Sequence, residues 1–154
     1  MTAAAAMGND DFRHCVVFHS LSKRSNAPGL RSGFVAGDAE VLNSFALYRT
    51  YHGSAMSTTV QQASVAAWGD ENHVVENRRI YAEKFAAVAP LIRPPLLTTS
   101  PEAGFYFWVR SPIDDARFAR EFLEAYNVTV LPGSFLAREA QGINPGKNHI
   151  RLAL

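Results

Sequence analysis

Residues 20–33 read SLSKRSNAPGLRSG, and the placing of Lys23 in this stretch decides how the rest of the chain is understood. Serines flank the lysine on its N-terminal side, Arg24 follows it, and Arg31 lies within reach across the turn. Neighbouring cations and burial make a lysine amine a better nucleophile, able to close a Schiff base with an aldehyde. Ser20 and Ser22 offer hydroxyls, Gly29 and Gly33 permit close backbone approach, and Arg31 offers a planar fork for a phosphate. An imine-forming lysine beside a phosphate-binding serine and arginine is the equipment that pyridoxal phosphate requires. The competing reading is a solvated serine-rich turn. Within the stretch, NAPG (residues 26–29) is turn chemistry: Pro28 fixes φ, and Gly29 is expected to supply a positive φ.

On either side of the turn the pattern is apolar. Residues 15–19, CVVFH, and 33–36, GFVA, read as short buried strands. Fully apolar short strands usually need cover on both faces, so the chain is expected to be part of something larger. Upstream, Thr2 is expected to cap an alanine-rich helix ending near Gly8. Downstream, Asp38 is a good N-cap for a helix over 39–51 with Val41, Leu42, Phe45 and Tyr48 as its apolar stripe. Ser57 caps a second helix to about residue 68, with Val60, Ala63 and Ala67 on one face. A longer helix runs from Asp70 to about Val88, with Val74, Tyr81, Phe85 and Val88 at helical spacing. Pro90 and Pro94-Pro95 end it. Residues 104–109, 128–131 and 149–154 read as strands, and Asp114 caps a helix to about 126 with Phe118 and Phe122 inward. This order predicts a small sheet with helices on one face.

Composition excludes several classes. The chain has 154 residues, 47% hydrophobic and 19% charged, which describes a folded globular protein. A formal charge of +1 argues against a nucleic-acid binder. One cysteine, Cys15, rules out an internal disulfide framework and fits a reducing compartment, and no signal peptide or membrane helix is visible, so a cytoplasmic protein is expected. His14, His19, His52, His73 and His149 lack metal-ligand spacing, and no metal site is expected.

Ser20-Leu21-Ser22-Lys23, with Gly29, Arg31 and Gly33 at fixed offsets, resembles the lysine signature of the class I/II pyridoxal-phosphate aminotransferases of fold type I. Ser32 alone departs, where that family usually has an aliphatic residue. The likeness runs on through LYRTYHGSAMS, AGFYFWVRSPIDDARFAREF, YNVTVLPGSFLARE and GINPGKNHIRLAL, in an order that looks like the C-terminal part of the succinyldiaminopimelate transaminases. The resemblance implies an α/β and α+β fold: a remnant of the large cofactor-binding domain over 1–70, then an interdomain helix and the small C-terminal domain over 71–154. It implies pyridoxal 5'-phosphate as cofactor. Lys23 matches the imine lysine and later proton carrier, Ser20 and Arg31 the phosphate ligands, and Arg151 the arginine that clamps the substrate α-carboxylate. The alternative for Arg151 is an edge-strand arginine facing water.

Other candidates carry less. Tyr48, Tyr51 and Ser54 lie where such homodimers approach the neighbouring site, but ordinary helix-end packing is the preferred reading. Tyr106 and Trp108 are expected to be core. Arg24, Arg49 and Arg138 are available for the extra carboxylates of N-succinyl-diaminopimelate, and nothing in the spacing selects among them. The family is more than twice as long, and its N-terminal part carries the ring-nitrogen aspartate and other cofactor contacts. The expectation is therefore a C-terminal fragment of an aminotransferase acting on N-succinyl-LL-diaminopimelate and 2-oxoglutarate in lysine biosynthesis, with little activity alone. A non-catalytic interaction domain, or an aminotransferase for aspartate or an aromatic amino acid, are the alternatives.

Overall fold

The computed structural model describes Gly8, residues 12–53 and residues 55–154; the helix expected over 2–8 and the candidate Ser54 lie outside the described residues. The chain divides into two compact units, Met1–Glu76 and Asn77–Leu154.

In the first unit, β1 (Val16–Ser20) pairs antiparallel with β2 (Gly33–Gly37), from Val16↔Gly37 to Ser20↔Gly33. The connection between them is the lysine turn. It is not a plain loop, because Ser20 is extended (φ −145°, ψ 144°) and its side chain caps a one-turn helix, α1 (Leu21–Arg24). Leu21 is fully buried. Its N–H donates to the carbonyl of Ser32 at 3.1 Å, and its own carbonyl accepts from Ser25 at 3.0 Å and Ala27 at 3.3 Å. A 3₁₀ turn over Pro28–Leu30 follows. The left-handed positions fall on Asn26 and Arg31, both at φ 51°, rather than on Gly29, where a Cβ would meet nothing within 4 Å. Gly33 is the glycine that the geometry demands, since a Cβ there would sit 2.6 Å from the carbonyl oxygen of His19.

The strands are less buried than their composition predicts. β1 and β2 form a two-stranded sheet, and Phe18 is 73% exposed. The next helix, α2 (Ala39–His52), starts as expected: the Asp38 carboxylate accepts from the N–H of Glu40 at 2.9 Å and of His14 at 2.7 Å. Of its expected stripe, Leu42 and Phe45 are half-buried, with Phe45 edge-on to Phe18, while Val41 and Tyr48 are exposed. The reason is that the described part of this unit offers no second layer for that face. Ser57 caps α3 (Thr58–Gly69), as its position predicts. The helix α4 (Asn72–Val88) starts two residues beyond Asp70, whose carboxylate accepts from the N–H of Asn72 at 2.9 Å.

The second unit holds a real core. β3 (Tyr106–Arg110), β4 (Leu131–Pro132) and β5 (His149–Ala153) form an antiparallel sheet in the order β3-β5-β4. Phe107, Val109 and Ile150 project to one face and are buried with Phe85 and Val130, with Phe118 and Phe122 packed against them. Those two aromatics come from α5 (Asp115–Tyr126), capped by Asp114. The strand expected over 128–131 is cut short. Left-handed Asn127 turns the chain out of α5, Val128 is exposed, and only Leu131 of that run pairs, with Arg151. A short helix, α6 (Gly133–Leu136), follows β4.

Candidate functional site

The lysine turn is pinned by its own hydroxyls. Ser20 Oγ accepts from the N–H of Ser22 at 3.1 Å and lies 3.1 Å from the carbonyl of Ser32 and 2.9 Å from Ser22 Oγ. Each hydroxyl has one proton, so Ser20 donates to Ser32 and Ser22 donates to Ser20. Arg31 is exposed and spends one N–H on the carbonyl of Pro28 at 2.9 Å. Ser20, Ser22, Arg31 and Arg49 line a groove of about 560 Å³ together with Phe18, Phe34 and Phe45. Among the described residues, no carboxylate lines this groove. Two guanidinium groups and two hydroxyls facing a shared space fit an anion such as a phosphate. Lys23 is exposed on α1 and does not line the groove.

The candidate cations separate clearly. The Arg24 side chain is only 7% exposed. Its Nη1 donates to the carbonyl of Ala67 at 2.8 Å, its Nη2 pairs with the Glu71 carboxylate, and its Cζ lies 4.9 Å from the Trp68 ring centroid. Committed to the C-terminal end of α3, it is not available to a substrate. Arg49 remains on the groove, and Arg138 is exposed in the second unit. Tyr48 and Tyr51 are exposed rather than packed, with Tyr48 stacked on His52 at 4.3 Å.

Arg151 is not an edge residue facing water. β5 is the central strand, and Arg151 is half-buried opposite Trp108 on β3 and Leu131 on β4. Its guanidinium lies 5.7 Å from the Tyr106 ring centroid. Tyr106 and Trp108 therefore belong to the open face of the sheet, and the core positions fall on Phe107 and Val109; strand alternation admits either phase, and the structure takes this one. Trp108 also stacks on His149 at 5.5 Å and 9°.

Asp115, which sequence reading passes over, fixes the start of this strand. It is 1% exposed, and its carboxylate accepts from the N–H of Ser134 at 2.8 Å and of Asn148 at 3.1 Å. Burial pushes this carboxyl up, but the hydrogen bonds from Ser134 and Asn148 together outweigh it and leave the group below its ordinary value. Its only sequence signal is that it follows the cap Asp114.

A family model described as aminotransferase class I and II matches residues 2–154. A crystal structure of an aminotransferase from Neisseria meningitidis Z2491 is 54% identical, with a TM-score of 0.88 over 99% of this chain and 39% of that one. The aminotransferase AspB from Helicobacter pylori 26695 is 34% identical, with a TM-score of 0.85 over 99% of this chain and 38% of that one. An LL-diaminopimelate aminotransferase of Syntrophobacter fumaroxidans is 34% identical over 90% of this chain and 35% of its own length. The chain thus spans about a third of the curated relatives it matches.

Proposed function

This chain belongs to the class I and II aminotransferases, whose cofactor is pyridoxal phosphate, and from that premise we propose that it provides the lysine, phosphate and carboxylate contacts of a transamination. The observation that carries this reading is the groove at the foot of the SLSK turn, lined by Ser20, Ser22, Arg31 and Arg49 with no carboxylate among its described residues. Ser20 and Arg31 hold the phosphate. Ser20 gives up its present acceptor, the Ser32 carbonyl, to do so, and Arg31 uses the N–H groups that Pro28 leaves over. Lys23 holds the cofactor through its amine. The cofactor, when bound, supplies the electron sink that lets the substrate α-carbon release a proton. Once the substrate amine has taken its place on the cofactor, the released Lys23 amine would carry that proton as general base and then general acid. Arg151 binds the α-carboxylate in a bidentate pair, beside Tyr106 and Trp108.

For the amino donor the proposal is N-succinyl-LL-diaminopimelate, with 2-oxoglutarate as acceptor, in a cytoplasmic homodimer. The order of sequence segments supports it, and the LL-diaminopimelate aminotransferase name of the Syntrophobacter relative supports the diaminopimelate backbone without its succinyl group; aspartate and aromatic amino acids are the competitors. The 154 residues alone are expected to turn over little, and robust transamination by them refutes that expectation.

Borohydride reduction with pyridoxal phosphate, followed by peptide mass mapping, tests the site. The adduct is expected on Lys23, and a stable adduct only on Lys84 or Lys147 overturns the assignment. For the donor, amide shifts along β5 are expected on titration with N-succinyl-LL-diaminopimelate and to be lost in Arg151→Ala. Equal shifts with aspartate overturn the substrate proposal.

A further inference from the structure

Lys23 is followed by two residues whose side chains both leave the turn for one distant place. Arg24 reaches the carbonyl of Ala67, the Glu71 carboxylate and the face of Trp68. Ser25 Oγ lies 2.8 Å from His73 Nε2, and His73 Nδ1 lies 2.7 Å from Asp70 Oδ2. These partners sit more than forty positions along the chain, in the last turn of α3, the α3–α4 link and the first turn of α4. Arg24 Nη1 is also 3.4 Å from Ser25 Oγ, so the two tethers touch. Trp68 in turn meets His19 of β1 at 5.1 Å and Phe34 of β2 at 5.0 Å.

We propose that Arg24 and Ser25 latch the lysine turn to the α3–α4 junction, with His73 as the pin, and so act as positioning residues for Lys23. The inference rests on the aminotransferase reading for the role of Lys23, not for the latch itself. On its other side the turn is already fixed by buried Leu21, bonded to Ser32. Lys23 therefore stands between two anchors. A reactive amine on a rotatable stem gains from a fixed Cα, because fewer positions compete with the productive one.

The Asp70 carboxylate can only accept, so His73 Nδ1 carries a hydrogen, and the Ser25 hydroxyl, which both donates and accepts, meets Nε2 whichever role that nitrogen takes. His73 holds the Asp70 carboxyl below its ordinary value, with the N–H of Asn72 assisting. The other charges facing this relay are Arg24 and Glu71, which pair with each other.

The test uses the 154-residue chain and three variants: Arg24→Ala, His73→Asn and His73→Gln. An asparagine amide can stand in for Nδ1 and keep Asp70, but it cannot reach Ser25. A glutamine amide can stand in for Nε2 and reach Ser25. The first readout, without cofactor, is amide exchange at Ser25 and Ala27, whose N–H groups both bond to Leu21. The second is the share of borohydride-fixed pyridoxal phosphate on Lys23 relative to Lys84 and Lys147, the only other lysines. Arg24→Ala and His73→Asn are expected to speed exchange about tenfold and to drop the share on Lys23. His73→Gln is expected to restore both. Unchanged exchange in Arg24→Ala and His73→Asn, or a His73→Gln no better than His73→Asn, overturns the latch. Faster exchange with an undiminished share on Lys23 overturns the positioning role. A wild-type chain that takes no cofactor on Lys23 overturns the cofactor-holding role proposed for Lys23 and the positioning role together, while exchange still decides the latch.

Discussion

Asp115 ties the stability of its unit to pH. Its carboxyl lies below the ordinary value in the folded chain, because hydrogen bonds from Ser134 and Asn148 outweigh the burial. A lowered folded pKa stabilises above the unfolded value, about 3.9, and that stability is lost as pH falls through the folded value. The unit from Asn77 to Leu154 is therefore expected to weaken below about pH 4 in urea titrations. Asp115→Asn should remove most of that slope and cost about 1–3 kcal/mol at pH 7, since an amide accepts from only one of the two N–H groups. A variant that keeps the full acid slope contradicts this role. At this scale the sequence is legible where a motif is local. Ser20, Lys23 and Arg31 can be singled out as candidates because they share one turn. The partners of Arg24 and Ser25 cannot, because a distance of more than forty residues leaves no spacing to recognise.

Among the elements, helix starts are the most legible parts. Asp38, Ser57 and Asp114 each cap the helix that their position predicts, because an oxygen one residue before the first turn meets unpaired N–H groups. Strands are less legible. VTVL has strand composition, yet only Leu131 pairs, because pairing depends on a neighbour rather than on propensity. The ribbon β1–β2 depends on Gly33 in the same way. Gly33→Ala drives a Cβ into the carbonyl of His19 and must open the closing pair Ser20↔Gly33. The expected cost is about 1–3 kcal/mol in equilibrium unfolding, with altered shifts at Leu21 and Ser32. Wild-type stability in that variant contradicts the close approach.

For the whole molecule, composition correctly gives a folded globular chain but says nothing of how burial is shared. The second unit buries Phe85, Phe107, Val109, Val130 and Ile150 together. In the first, the buried apolar residues among those described are Leu21 and Val74, while Leu47, Tyr51 and Val65 are exposed. Thin burial means low local stability, so amides of β1 and β2 are expected to exchange before those of β3 and β5; the reverse order contradicts it. Ser32 adds a constraint of another kind. It is 3% exposed, and its Oγ lies 2.8 Å from Ser64 Oγ, which in turn donates to the carbonyl of Val60 at 2.6 Å. Losing Ser64 first strands the Ser32 hydroxyl, at a cost of about 1–3 kcal/mol. Losing Ser32 first leaves Ser64 satisfied by Val60, and the second replacement is then mild. A double-mutant cycle should show this asymmetry. The hydroxyl pair is a one-way gate: replacing Ser32 with an aliphatic residue is the cheap first step, and replacing Ser64 first is the expensive one.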